Sequence, residues 1–202
     1  MNATHGRHAW YRMHWIVLLW LLALGGCSST ATVRTLLPSD QVFAVEGLRV
    51  LYLQREASIN STHPIFNDAR LNESVAELGH AVMAVLPAGF ENAGIESRSL
   101  HVKTDKSASL TSEAMDFLLH EQPDWPVLIV VPSGGRVFCS PCNIKNDVIL
   151  ELRIKGKAVW AVRMQEPTTS GSITGGTEGV QRHYAQEILR VAQTQIKAAA
   201  QR

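Results

Sequence analysis

The chain has 202 residues, 46% of them hydrophobic and 18% charged, enough apolar material for one domain with a real core. Its 19 Lys and Arg nearly balance 18 Asp and Glu. They form no basic cluster of the kind that tracks phosphates, which argues against nucleic acid as a partner.

The chain opens with positive charge at Arg7 and Arg12 and has no acidic residue before Asp40. Residues 15–24 are an apolar run of the length of a signal-peptide core, far short of the roughly 20 residues a spanning helix needs. The run ends in Leu24-Gly25-Gly26-Cys27. The two glycines carry no Cβ to keep a peptidase from the backbone. Charge, apolar run, small residues and cysteine in this order resemble the lipobox of bacterial lipoproteins. The resemblance implies that Leu24 fills the peptidase pocket and that the cut follows Gly25 and Gly26. Cys27 then carries diacylglycerol and an N-acyl chain such as palmitate, with no other cofactor. Each buried methylene is worth about 0.8 kcal/mol, so several acyl chains hold a protein on a membrane surface. Ser28 stands where an aspartate would resemble an inner-membrane retention signal. The resemblance therefore implies an outer-membrane, lipid-anchored, periplasm-facing protein. The expected organisation is a signal peptide over 1–26, a Ser/Thr-rich lipid-anchored tether over 27–41 and a periplasmic α/β domain over 42–202.

Within that domain, residues 45–54 alternate and predict a strand. Leu71, Val75, Leu78, Val82 and Val85/Leu86 recur at helical spacing, with Asn67, Asp68 or Asn72 as the cap. Pro87 is expected to kink or end this helix, with a short piece running on to Gly94. Residues 95–103 predict a second strand. Thr111 or Ser112 starts a short helix with Met115, Leu118 and Leu119 on one face, stopped by Pro123. Residues 127–131 are continuously apolar, as a strand buried on both faces should be, and Pro132-Ser133-Gly134-Gly135 breaks the run. Val148, Leu150, Leu152 and Ile154 alternate, Lys155-Gly156 turns the chain, and Trp160, Val162 and Met164 return on one side. After a Thr/Ser/Gly loop, Val180, Tyr184, Ile188, Val191 and Ile196 stripe a final helix.

The order is β-α-β-α-β-β-β-α, which implies an α/β (α+β) fold with a single mixed sheet and helices mainly on one face. This order, with the stretch Asp124-Trp125-Pro126-Val127-Leu128-Ile129-Val130, resembles a small α/β domain of envelope lipoproteins and assembly factors. Among them are the N-terminal domain of the Tol system's propeller protein and the curli secretion lipoprotein. The resemblance spans residues 42–200 and implies a scaffold or assembly role beside an envelope protein partner.

No spacing for catalysis is present. The chain has no His-Glu-x-x-His, no Gly-x-Ser-x-Gly and no phosphate-binding loop. Ser133 reads as a turn serine. The glycines of 171–179 precede a helix but lack a lysine to fix a phosphate, so they read as a loop. His63, His80, His101, His120 and His183 show no metal-ligand spacing, and no metal residue is expected. Cys139-Ser140-Pro141-Cys142 is the one sharp feature. In an oxidising compartment it reads as a structural disulfide closing a tight loop. A redox pair would want a helix N-terminus, and a zinc site two further ligands. The leading expectation is a non-enzymatic docking or assembly component of an envelope transport or secretion complex. The alternative is a periplasmic thiol-disulfide or metal-handling protein that uses Cys139 and Cys142.

Overall fold

The computed structural model describes residues 31–56, 67–104, 112–139, 142–167 and 176–199. In chain order the elements are β1 (Thr32–Leu37), β2 (Phe43–Val45), β3 (Gly47–Arg55), α1 (Asp68–Asn92), β4 (Glu96–Thr104), α2 (Ser112–Leu119), β5 (Val127–Cys139), β6 (Cys142–Ile154), β7 (Lys157–Gln165), α3 (Gly176–Gln195) and β8 (Ile196–Ala198). The eight expected elements occur in the expected order, and β1, β2 and β8 are additional.

The expected single sheet is corrected to two. A six-stranded sheet runs β1-β7-β6-β5-β3-β4, and β2 pairs with β8 in a separate two-stranded one. The main sheet is mixed, as expected: β3 is parallel to β4 and β5, and the other pairings are antiparallel. The second sheet forms because the chain leaves α3 in extended form and lies beside β2, with Ala199 N donating to Val45 O at 2.9 Å. Three-residue strands carry no period to read.

Two cores flank the main sheet. On the inner face, Val50, Tyr52, Leu128, Leu150, Trp160 and Met164 pack against Leu78, Val82, Leu86 and Phe90 of α1 and Tyr184 and Ile188 of α3. On the outer face, Leu51, Leu53, Val102, Val127 and Ile129 pack against Ala114 and Phe117 of α2. Thus the two long helices share one face and the short one takes the other. β3 and β5 are buried on both sides at Leu51, Tyr52, Leu128 and Ile129, which is why both read as apolar runs.

Four local expectations change. Helix α1 passes through Pro87 without ending, because Leu86 and Phe90 on either side are fully buried and hold that turn in place. Strand β5 is not broken at 132–135. A bulge between Pro132 and Gly134 absorbs the irregularity, and pairing with β6 continues to Cys139. The buried face of α2 is Ala114 and Phe117, while Met115 and Leu119 are exposed. The segment assigned to the tether contains β1, which pairs with β7 from Thr32↔Gln165 to Leu37↔Ala161. All six side chains of β1 are exposed. The strand is held by its backbone ladder, and that kind of bond leaves no hydrophobic signature.

Arg49 ties the outer core together. It is 4% exposed and wraps the end of α2. Its Nη1 donates to the carbonyls of Phe117 (2.8 Å), Leu118 (3.0 Å) and Glu121 (2.8 Å), and its Nη2 to Trp125 O (2.8 Å). Phe117 and Leu118 are among the residues whose carbonyls a helix end leaves without intrahelical donors, and Glu121 and Trp125 lie in the segment that follows.

Candidate functional site

Strands β3, β4 and β5 run parallel, so their carboxyl ends lie at the same edge of the sheet. In α/β folds this edge, with the helix N-termini that follow, is the usual place for ligand sites. Polar residues converge there in this chain. Lys145 Nζ lies 3.3 Å from Glu166 Oε1, with side chains only 8% and 1% exposed. Glu166 Oε2 accepts from Asn146 N at 2.8 Å, and Glu166 N donates to Asn146 O at 2.9 Å. These added hydrogen bonds offset part of the desolvation cost of a buried ion pair. Asn146 Nδ2 donates to Ser74 Oγ of α1 at 2.8 Å, and Gln181 Nε2 of α3 donates to the same oxygen at 3.4 Å. Asn146 Oδ1 and Gln181 Oε1 are buried without a hydrogen-bond partner among the described residues.

Above Gln181, α1 and α3 part to leave a cleft of about 410 Å³. Glu77, His80, Ala81, Ala84 and Val85 form the α1 wall, and Glu178, Gln181 and Arg182 the α3 wall. The opening follows from the residues that set the interhelical distance. Near the carboxyl ends, Gly89 lets α1 approach α3 so closely that a Cβ there would overlap Leu189. Gln193 Nε2 donates to Gly89 O at 3.2 Å across that contact. Towards the amino ends, the small Ala81 and Ala84 face the gap and do not fill it.

A second cluster lies beside α1 and shares His80 with the cleft. Tyr52 OH donates to Val75 O at 2.7 Å, and burial pushes the phenol pKa up. The His101 ring meets Tyr52 edge-on at 5.1 Å and His80 at 5.9 Å, and His101 Nε2 lies 2.9 Å from Gln54 Oε1. Gly79 makes room for both rings, since a Cβ there would sit 2.7 Å from Tyr52 and 2.9 Å from His101. Burial, then His80, then Lys103 hold the His101 pKa below its ordinary value. No spacing in the sequence signals that His80 and His101 meet, because one is on a helix and the other on a strand. Even so, the described residues contain no group of three or more metal-ligating side chains.

Leu24, Gly25, Gly26 and Cys27 lie outside the described residues, as does His63. Cys139 and Cys142 are cross-strand partners at the end of the β5–β6 ladder; their side chains and residues 140–141 are outside those described. Ser133 sits at the β5 bulge with its Oγ buried and unpartnered among the described residues. It is a strand residue and not a turn residue. His120 pairs with Asp116 at 2.7 Å on the exposed side of α2. Among the described residues no helix is long and apolar enough to cross a membrane.

One face of the sheet has no described helix over it. On the outer face, α2 packs on β3, β4 and β5, and no described helix lies over β6, β7 and β1. That area carries Asp147 paired with Arg163 at 3.1 Å and Glu151 paired with Arg153. Beside it, β1 exposes Val33 (42%), Leu36 (48%) and Leu37 (38%), and among the described residues its far edge has no strand partner.

No family model and no curated protein matches the chain. It is similar to a solved structure of the PelC dodecamer from Paraburkholderia phytofirmans, at 16% identity over 85% of this chain and 100% of that one, with a TM-score of 0.48. A single-substitution variant of the same dodecamer gives 16% identity over 84% of this chain and 99% of that one, with a TM-score of 0.46. A third structure, of an uncharacterized protein, gives 12% identity over 76% and 95%, with a TM-score of 0.30. Likeness at this level transfers no role to the chain.

Proposed function

We propose that this chain is a non-enzymatic docking or assembly component of an envelope transport or secretion complex. In this reading Cys27 carries the lipid that holds it on the outer membrane, facing the periplasm. The observation that carries the reading is the β6–β7–β1 face and the outer β1 edge, over which no described helix or strand lies. Exposed apolar side chains at Val33, Leu36 and Leu37 lie beside backbone groups with no strand partner among the described residues, a combination that proteins usually cover or blunt. A partner strand added to β1 would satisfy both at once. The lipobox supports the anchor, and the lack of catalytic spacings in the sequence supports a non-enzymatic role.

A photo-crosslinking residue placed in cells at Leu36 or at Ile149 tests this. One discrete adduct with an envelope transport or secretion component is expected from both positions, and none from Arg190 on the exposed side of α3. Adducts that are equal at all three positions, or absent from the first two, would remove the docking surface.

The Cys139↔Cys142 register favours a second reading. Directly opposed strand residues stand about 4.5–5.5 Å apart at Cα, within the disulfide range. A periplasmic thiol-disulfide or metal-handling role would use this pair. A low thiol pKa at Cys139 or Cys142, measured by the pH dependence of alkylation, would favour it over docking.

A further inference from the structure

We propose that the end of the β5–β6 ladder is a membrane-contacting arm, which enters the boundary between phospholipid headgroups and acyl chains beside the lipid on Cys27. It rests on Cys27 carrying that lipid. The strand register makes the arm. β3 leaves β5 after Tyr52↔Val130, and the last row to cross four strands is Thr32, Gln165, Asp147 and Gly134. Beyond it the pairs Gly135↔Asn146, Arg136↔Lys145, Val137↔Ile144, Phe138↔Asn143 and Cys139↔Cys142 continue. Among the described residues no further strand pairs with either side of them. Five steps of about 3.4 Å carry the arm roughly 17 Å past the row. Its root is fixed by the buried polar cluster. Glu166 takes Lys145 Nζ at 3.3 Å and Asn146 N at 2.8 Å, Glu166 N donates to Asn146 O, and Asn146 Nδ2 reaches Ser74 of α1. These bonds clamp the arm to the end of β7 and to α1, and so set the direction in which it projects.

The length of chain leading to the lipid brings the arm to the bilayer. That chain joins the sheet at Thr32, in the same row from which the arm departs. Five Cα steps, fully extended, place Cys27 at most about 18 Å above the row, which is the reach of the arm itself. Only β7 lies between β1 and β6, so the arm stands roughly 10 Å to the side of that chain. Full extension sets the membrane surface level with the end of the arm, and any shorter path draws that end into the headgroups. The composition suits this place. Residues 136–145 include Val137, Phe138 and Ile144, two basic residues and no acidic one. Apolar and aromatic groups favour the headgroup–acyl boundary, and with Lys145 taken by Glu166, Arg136 is the base that its phosphates attract. A two-stranded hairpin is marginally stable in water, and lipid supplies the cover that no described element does.

The test puts photoreactive benzoylphenylalanine in place of Phe138, Ile144 or, at the opposite end of β7, Lys157 in the full-length chain. Each variant is purified from membranes, checked for the parent's circular dichroism, and reconstituted in vesicles of phosphatidylethanolamine and phosphatidylglycerol. Mass spectrometry then reads both the acylation of Cys27 and the products of irradiation. Acylated Cys27 with phospholipid adducts at one or both of 138 and 144, and none at 157, is expected. The two arm positions keep the test valid if one variant fails to fold. Acylated Cys27 without a phospholipid adduct at either arm position overturns the arm and leaves the anchor standing, whereas an unacylated Cys27 removes the anchor and the arm with it. Equal lipid adducts at all three positions would also overturn the proposal, as would adducts at 138 and 144 that join a second copy of the chain in place of lipid.

Discussion

Replacing Arg49 with methionine isolates one side chain that joins β3 to the end of α2. The two side chains are similar in length, so the packing of the stem is largely kept and the guanidinium alone is removed. Three carbonyls at the end of α2 and one at Trp125 lose their donor together. Two costs follow, the loss of hydrogen bonds to a charged group at about 1.5–3 kcal/mol each and the desolvation of any carbonyl left buried. They are not additive, because the carbonyls share one donor group and those nearest the surface recover water. The guanidinium also no longer has to be desolvated, and its pKa is lowered chiefly by that burial, with Glu121 opposing. The net expected loss is about 3–5 kcal/mol, the range found when one partner of a buried charged contact is removed. That is a reduction of about a hundredfold or more in the folded-to-unfolded ratio. Urea unfolding followed by circular dichroism should show the midpoint fall with unchanged slope. Arg49→Lys, which offers donors from a single nitrogen, should lie between the two. A methionine variant within about 1 kcal/mol of the parent would refute the reasoning, since surface substitutions commonly cost that little.

Other outcomes follow from single residues. Cys27→Ala should abolish incorporation of radiolabelled palmitate and leave an uncleaved precursor, and equal labelling would remove the anchor. Trp160→Ala should cost about 3–5 kcal/mol in thermal or urea unfolding, because Trp160 is 3% exposed and belongs to the inner core. Changing Cys139 and Cys142 together to serine should cost less than the ~3 kcal/mol of a fifteen-residue loop, as the loop they close is four residues long; calorimetry of the oxidised parent and the variant measures it. The His101 pKa is depressed in the folded chain below 6.5, so the unfolded chain takes up the proton first. Stability should be intact above about pH 6.5 and fall as the pH drops through that value towards the folded pKa; His101→Gln should flatten this part of the urea midpoint–pH curve.

What could be read from the sequence was whatever burial had written into it. The inward set Trp160, Val162 and Met164 follows from period-two alternation, and 127–131 reads as a strand covered on both faces because α2 and the inner helices both press on it. Where backbone bonds alone hold a segment, no pattern exists. Strand β1 pairs along six residues with every side chain in solvent, so it reads like a tether. An eight-residue helix is too short to fix a stripe: Leu118 packs against the outer core as expected, but its buried neighbours are Ala114 and Phe117, while Met115 and Leu119 are exposed. The cleft was invisible for another reason: Ser74 lies 72 residues from Asn146 and 107 from Gln181, and each is unremarkable on its own element.

The position of β1 bears on how an anchored molecule would stand. Four residues separate Cys27 from Thr32, and the five Cα steps between the two span at most about 18 Å when fully extended. Thr32 pairs with Gln165, at the edge of the sheet where Lys145, Asn146 and Glu166 meet and where α1 and α3 begin. Lipid on Cys27 would therefore hold this edge close to the bilayer and turn the hairpin turn at Lys155 and Gly156, at the opposite end of β6 and β7, away from it. An anchor on Cys27 and β1 would thus act as parts of one device. Pairing with β7 takes up the chain that a free tether would leave slack, so the open β1 edge would be presented at a fixed height beside the membrane.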